Sequence, residues 1–88
     1  MSLNNYTYIL HCADNTYYTG WTNDIKARLQ AHNSGKGAKY TRTRGPVRLV
    51  YCQAFETRSQ AQQQEYQIKQ MSRLQKERLI QAFQSLLD

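Results

Sequence analysis

Two runs rich in aromatic and β-branched side chains, Tyr6–Cys12 and Thr16–Trp21, are separated only by the turn-forming Ala13-Asp14-Asn15. That pattern predicts a β-hairpin. If Cys12 pairs with Thr16 across the turn, Leu10 lies opposite Tyr18, and Tyr8 becomes the diagonal neighbour of Tyr18 on the same face, ~7–8 Å away between backbones. A two-stranded hairpin is marginal in water by itself, so the remaining chain must supply a third strand and a cover. With 88 residues in total there is material for one core, and residues 1–88 are read as a single domain.

The rest of the chain supplies those parts. Thr22 or Asn23 offers an N-cap for a first helix carrying Ile25, Arg28, Leu29 and His32 on one face, ended by Gly35. Val47 to Phe55 reads as a third strand. Thr57-Arg58-Ser59-Gln60 and Ser72-Arg73-Leu74-Gln75 are capping boxes that open two further helices. In the last helix Leu79, Ile80, Phe83, Leu86 and Leu87 recur at helical spacing and are expected to face the core. The predicted fold is α/β in the α+β sense: a small antiparallel three-stranded sheet flanked by three helices, in the order ββαβαα.

Composition narrows the function. No stretch approaches the ~20 apolar residues that a bilayer requires, and the first five residues lack signal-peptide character, so a soluble cytoplasmic protein without membrane association is expected. Cys12 and Cys52 form no CxxC pair and are read as reduced thiols in strands. Twelve Lys and Arg against six Asp and Glu give a formal charge of +6 and an attraction to polyanions. Part of that charge is concentrated between Ser34 and Pro46, a glycine-rich loop holding Lys36, Lys39, Arg42 and Arg44, with Tyr40 among them. This is the candidate phosphate-tracking segment.

One acidic residue stands out. Ala61, Glu65 and Ile68 fall at i, i+4 and i+7, which sets a carboxylate in the stripe expected to pack on the sheet. Such a group requires a partner: an ion pair with Arg28 or Lys69, or a hard cation. Arg28 and His32, one turn apart on the first helix, add a cation and an imidazole to the two tyrosines. A plain core does not need that set.

Tyr6-Thr7-Tyr8, then Tyr18-Thr19-Gly20 ten residues later, then Arg28, His32 and Glu65, resembles the GIY-YIG nuclease pattern over almost the whole chain. The run Tyr18–Asp24 and the segment His32–Thr41 are similar to those of small, stand-alone bacterial GIY-YIG proteins. The resemblance implies that Tyr8, Tyr18, Arg28, His32 and Glu65 are catalytic, with Glu65 binding one Mg²⁺ or Mn²⁺ ion. It also implies a nucleic-acid substrate, DNA ahead of RNA, cleaved in a structure-specific repair or recombination role, and a partner protein that adds substrate affinity. Tyr8 is the candidate base, with Tyr18 and His32 orienting water or the scissile phosphate. Tyr6 replaces the family's first glycine, Thr7 and Thr19 replace isoleucines, and a late asparagine used by some members has no match. Two rivals follow from the same residues: a nucleic-acid-binding module that cleaves nothing, and a protein-interaction domain whose basic loop meets an acidic partner.

Overall fold

The computed structural model describes residues 3–87. The hairpin comprises β1 (Asn5–His11) and β2 (Tyr17–Thr22), and Leu10 pairs with Tyr18 and Tyr8 with Gly20. Cys12 N–H donates to the Thr16 carbonyl (2.8 Å), and Asn15 takes the left-handed conformation (φ 66°) that lets the chain reverse in three residues. Asp14 Oδ1 accepts from both the amide and the hydroxyl of Thr16, which holds the turn closed. Cys12 lies one residue beyond β1, and both it and Cys52 are free thiols.

The chain continues through α1 (Ile25–Asn33), a 3₁₀ turn (Lys39–Thr41), β3 (Arg48–Phe55), α2 (Arg58–Lys69) and α3 (Arg73–Leu87). The sheet order is β2-β1-β3, antiparallel throughout, with the first strand in the middle. Its central position explains the burial of four consecutive residues, Thr7 to Leu10, because both faces are covered. Ile9 packs with Val50, Tyr51, Ile68 and Ile80 under α2 and α3, whereas Tyr8 and Leu10 pack with Cys12, Val47, Ile25 and Leu29 against α1. A register shift between Ile9 and Leu10 gives β3 an extra residue there, so that Val50 and Tyr51 both join the Ile9 cluster. Thr7, in place of the family's isoleucine, donates its hydroxyl to the Ala61 carbonyl (2.6 Å) and so ties β1 to α2 without leaving a buried polar group unpaired.

Both capping boxes form as expected. Two local expectations change. The N-cap of α1 is Asp24 rather than Thr22 or Asn23: its Oδ1 accepts from Ala27 N–H (3.1 Å), while Thr22 ends β2 and accepts from the Asp24 amide. On α3, Ile80 is buried and Leu79 and Phe83 partly so, but Leu86 and Leu87 are 85 and 71% exposed. Helical spacing gives the direction of a side chain around its axis and says nothing about how far along that axis a partner extends.

The loop between α1 and β3 is pinned at both ends. The Asn33 carboxamide donates to the Val47 carbonyl and accepts from the Val47 amide, which closes the loop's base. Arg44 binds Asp14 on the hairpin turn (3.0 Å), and its carbonyl accepts from Ala13 N–H. Among the described residues, no helix is long and apolar enough to cross a membrane.

Candidate active site

Tyr8 points from the central strand toward α1, directly across from Gly20. An ideal Cβ on Gly20 would lie 2.6 Å from the Tyr8 hydroxyl oxygen and 2.8 Å from the ring carbon that bears it. The glycine that closes the second sequence triplet therefore makes room for the phenol of the first. Gly20→Ala is expected to displace Tyr8 and to cost about 1–3 kcal/mol as an overpacked site, read as a lower denaturation midpoint at unchanged m-value.

The Tyr8 hydroxyl lies 3.0 Å from His32 Nε2 on α1, and His32 Nδ1 lies 2.7 Å from the Thr41 hydroxyl oxygen. Thr41 in turn donates to the Ala38 carbonyl (3.0 Å). Tyr8, His32 and Thr41 are all buried (3, 2 and 1% exposed), so the chain of contacts runs through the interior. Tyr18 flanks both rings, with centroids 6.4 Å from Tyr8 and 5.2 Å from His32.

Charge around these groups is asymmetric. Burial pushes the Tyr8 phenol far above the ordinary tyrosine range, and Tyr18 and Glu65 push the same way while Arg28 opposes them. Burial, then Arg28, lowers the pKa of His32. At neutral pH the pair is thus a protonated phenol beside a neutral imidazole. Arg28 itself is solvent-exposed, one turn before His32, and among the described residues no carboxylate lies within ion-pair distance of it. Its guanidinium is open to an external anion.

Glu65 sits on α2, its side chain only 19% exposed, and one oxygen binds Lys69 Nζ (2.8 Å). Of the two ion-pair partners that the sequence allows, the fold selects Lys69. Its charge still reaches the Tyr8 phenol. Among the described residues no three His, Cys, Asp or Glu side chains gather into a metal cage. A lone carboxylate with one oxygen outside the Lys69 bond suits a hard divalent ion that keeps water and phosphate oxygens as its other ligands.

A family model, the GIY-YIG catalytic domain, matches residues 4–78. The chain belongs to the GIY-YIG family. It is 58% identical to a UPF0213 protein of Clostridium perfringens over 86% of this chain and 82% of that one, and 51% identical to one of Halalkalibacterium halodurans over 89 and 83%. Its structure is similar to the solution NMR structures of a UPF0213 protein from Bacillus halodurans (TM-score 0.59, 50% identity, 89% of this chain and 83% of that one) and of a protein from E. faecalis (0.61, 43%, 91 and 85%).

In this GIY-YIG domain the basic loop divides by role. Lys36, Lys39 and Arg42 are exposed. Arg44 is half-buried and engaged: it binds Asp14, donates to the Tyr40 carbonyl (2.8 Å) and lies 4.0 Å over the Tyr40 ring. Tyr40, itself exposed, also stacks on Tyr18 at 5.9 Å and so borders the tyrosine pocket. The structure brings Tyr8, Tyr18, Arg28 and His32 together on the α1 side of the sheet, with Glu65 joining them through its charge. Thr41, Gly20 and Gly37 also shape the site. Gly20 is signalled in the sequence by its place directly across from Tyr8 in the hairpin register, whereas Gly37 and Thr41 stand only within the resembling segment His32–Thr41, with nothing there to link them to the His32 ring.

Proposed function

We propose that this domain hydrolyses phosphodiester bonds in nucleic acid with one Mg²⁺ or Mn²⁺ held at Glu65. The observation that carries the reading is the buried Tyr8–His32 hydrogen bond beside an exposed, unpaired Arg28. A core needs neither. Water attacks phosphorus and forms the new P–O bond; its proton goes to the Tyr8 oxygen as Tyr8 passes its own proton to His32 Nε2. The former ester bond breaks, and the leaving oxygen takes a proton from solvent. The imidazolium then returns its proton to Tyr8 as Tyr8 releases one to solvent, which balances the proton taken up by the leaving oxygen. Sharing the base role in this way removes the difficulty that the Tyr8 phenol, by itself, is held fully protonated.

Tyr18, half-buried over both rings, orients the attacking water, and Arg28 offers its two-pronged donor set to the phosphoryl oxygens. A divalent ion held by Glu65 would supply positive charge against the negative charge that develops in the reaction. DNA is the proposed substrate ahead of RNA, with structure-specific cleavage in repair or recombination, in the cytoplasm and with a partner protein adding affinity.

Labelled single-stranded, duplex, flap and branched DNA and RNA, incubated with Mg²⁺, Mn²⁺ or EDTA, test this reading. Cleavage that requires the metal and is lost in Tyr8→Phe is expected; salt-sensitive binding with no cleavage of any substrate would replace it with the non-catalytic module. Binding itself should be backbone-dominated, since Lys36, Lys39 and Arg42 are exposed in one loop. Neutralising Lys39 and Arg42 together is expected to reduce the slope of log K against log salt by about two, measured by fluorescence anisotropy. Arg44→Gln should instead act mainly through stability, because its guanidinium is tied to Asp14 and Tyr40.

A further inference from the structure

We infer that Thr41 is a positioning residue that holds His32 in the tautomer with its proton on Nδ1, so the basic loop supplies part of the proton machinery as well as positive charge. The inference rests on the Tyr8–His32 proton transfer proposed above. Thr41 has a single hydroxyl proton, and the Ala38 carbonyl in the same 3₁₀ turn, 3.0 Å away and able only to accept, is placed to take it beside the Thr41 amide. With its proton so placed, Oγ1 acts as an acceptor toward the imidazole nitrogen 2.7 Å away. Nδ1 therefore carries hydrogen, and Nε2 presents a lone pair to the Tyr8 hydroxyl at 3.0 Å.

The opposite tautomer would disturb both ends of the chain. Nε2–H would point at the Tyr8 oxygen, and the Tyr8 proton would have no protein acceptor among the described residues, leaving it to point at the water that the proposed reaction needs as a proton donor. Thr41 would also have to turn its hydrogen away from Ala38. The loop fixes the orientation of the ring sterically: an ideal Cβ on Gly37 would come within 2.5 Å of His32 Nδ1 and 2.8 Å of its Cγ, so the backbone lies against the Nδ1 edge and keeps that edge toward Thr41. Gly37 and Thr41 alternate along the chain with the exposed Lys36, Lys39 and Arg42. One short segment thus faces inward to set a tautomer and outward to meet phosphate. An Nε2 lone pair is what the proposed relay needs, because an Nε2–H imidazole cannot take the Tyr8 proton.

The test reads the tautomer directly. Long-range ¹H–¹⁵N correlation of the full ¹⁵N-labelled chain at pH 8, with the two histidines told apart by a His11→Gln variant, is expected to show a protonated Nδ1 and an unprotonated Nε2 for His32. In Thr41→Val, which keeps the shape and removes the acceptor, the Nε2–H form should appear. There kcat should fall roughly 10²-fold, the low end of a general-base contribution, with KM within about twofold. Thr41→Ser should restore both readouts. A wild-type His32 with hydrogen on Nε2, or a Thr41→Val protein that keeps the Nδ1–H form, overturns the inference. So does a Thr41→Val protein that changes tautomer and cleaves at the wild-type rate. The wild-type spectrum needs neither a variant that folds nor any cleavage, so an inactive wild type with Nδ1–H would sink the hydrolase reading and leave the tautomer assignment standing.

Discussion

Glu65→Gln is expected to abolish metal-dependent cleavage while leaving fold, melting temperature and phosphate affinity close to those of the wild type. The reasoning starts from the partner that the structure gives this carboxylate. Had Glu65 paired with a buried Arg28, its removal would leave an uncompensated cation and cost on the order of 3–5 kcal/mol. It pairs instead with Lys69, one turn away and 52% exposed, in an i,i+4 contact of a kind worth about 0.3–0.5 kcal/mol. The ion pair therefore contributes little to stability. In the proposed reaction the carboxylate matters far more, since the amide that replaces it has no charge with which to hold a hard cation. Thermal unfolding in EDTA and in Mn²⁺, with an Mn²⁺ titration of both proteins, separates the two. A Glu65→Gln protein that binds Mn²⁺ as the wild type does would remove the metal from this residue and favour a binding module.

The second large effect is expected at Tyr8. Tyr8→Phe should lower cleavage roughly 10²–10⁴-fold, because it deletes the group through which a proton reaches His32. Stability should fall too, by about 1–3 kcal/mol, since His32 Nε2 loses its one hydrogen-bond partner among the described residues in a buried site. Nucleic-acid affinity should not change, as the exposed loop cations are untouched.

The pH profile provides an independent check. His32 must be neutral to accept a proton, and burial with Arg28 nearby holds its pKa below the ordinary value, so the acid limb of kcat/KM is expected below pH ~6.5. The sign for stability runs the same way. Between the folded and unfolded pKa values the unfolded chain binds more protons, so the His32 contribution is complete above pH ~6.5 and is lost as pH falls through the depressed folded value. An acid limb above pH 7 would show that another group titrates. In His32→Gln the acid limb assigned to His32 should disappear from whatever activity remains.

How much of this was legible beforehand depended on the range of the interaction. The hairpin register, the placement of Tyr8 and Tyr18 on one face and the two capping boxes all arise between residues a few positions apart, where strand alternation and cap geometry decide the outcome. Even within that range the start of α1 lies a residue or two from the sequence expectation, because Thr22, Asn23 and Asp24 are all competent caps and only the end of β2 decides among them. For the long-range part of the site, only the resemblance to GIY-YIG proteins implied that Arg28, His32 and Glu65 belong with the tyrosines.

Only the tertiary structure decided how those residues are used. Which of two possible cations neutralises Glu65, whether Arg44 meets solvent or Asp14, and whether Leu86 and Leu87 find a surface to cover them all depend on where distant segments pass in space. Thr41 is the sharpest case. In the sequence it is one polar residue in a polar, glycine-rich loop, and no periodicity or spacing connects it with His32 nine positions earlier. Asn33 clamps the loop to Val47, the 3₁₀ turn rotates Thr41 inward, and burial then leaves its oxygen a single neighbour besides Ala38. Sequence by itself determined which elements form and which chemical groups are available; the packing of the loop against α1 determined that His32 Nε2 faces Tyr8 and Nδ1 faces Thr41, because a hydrogen bond is set by position and direction and not by residue type alone.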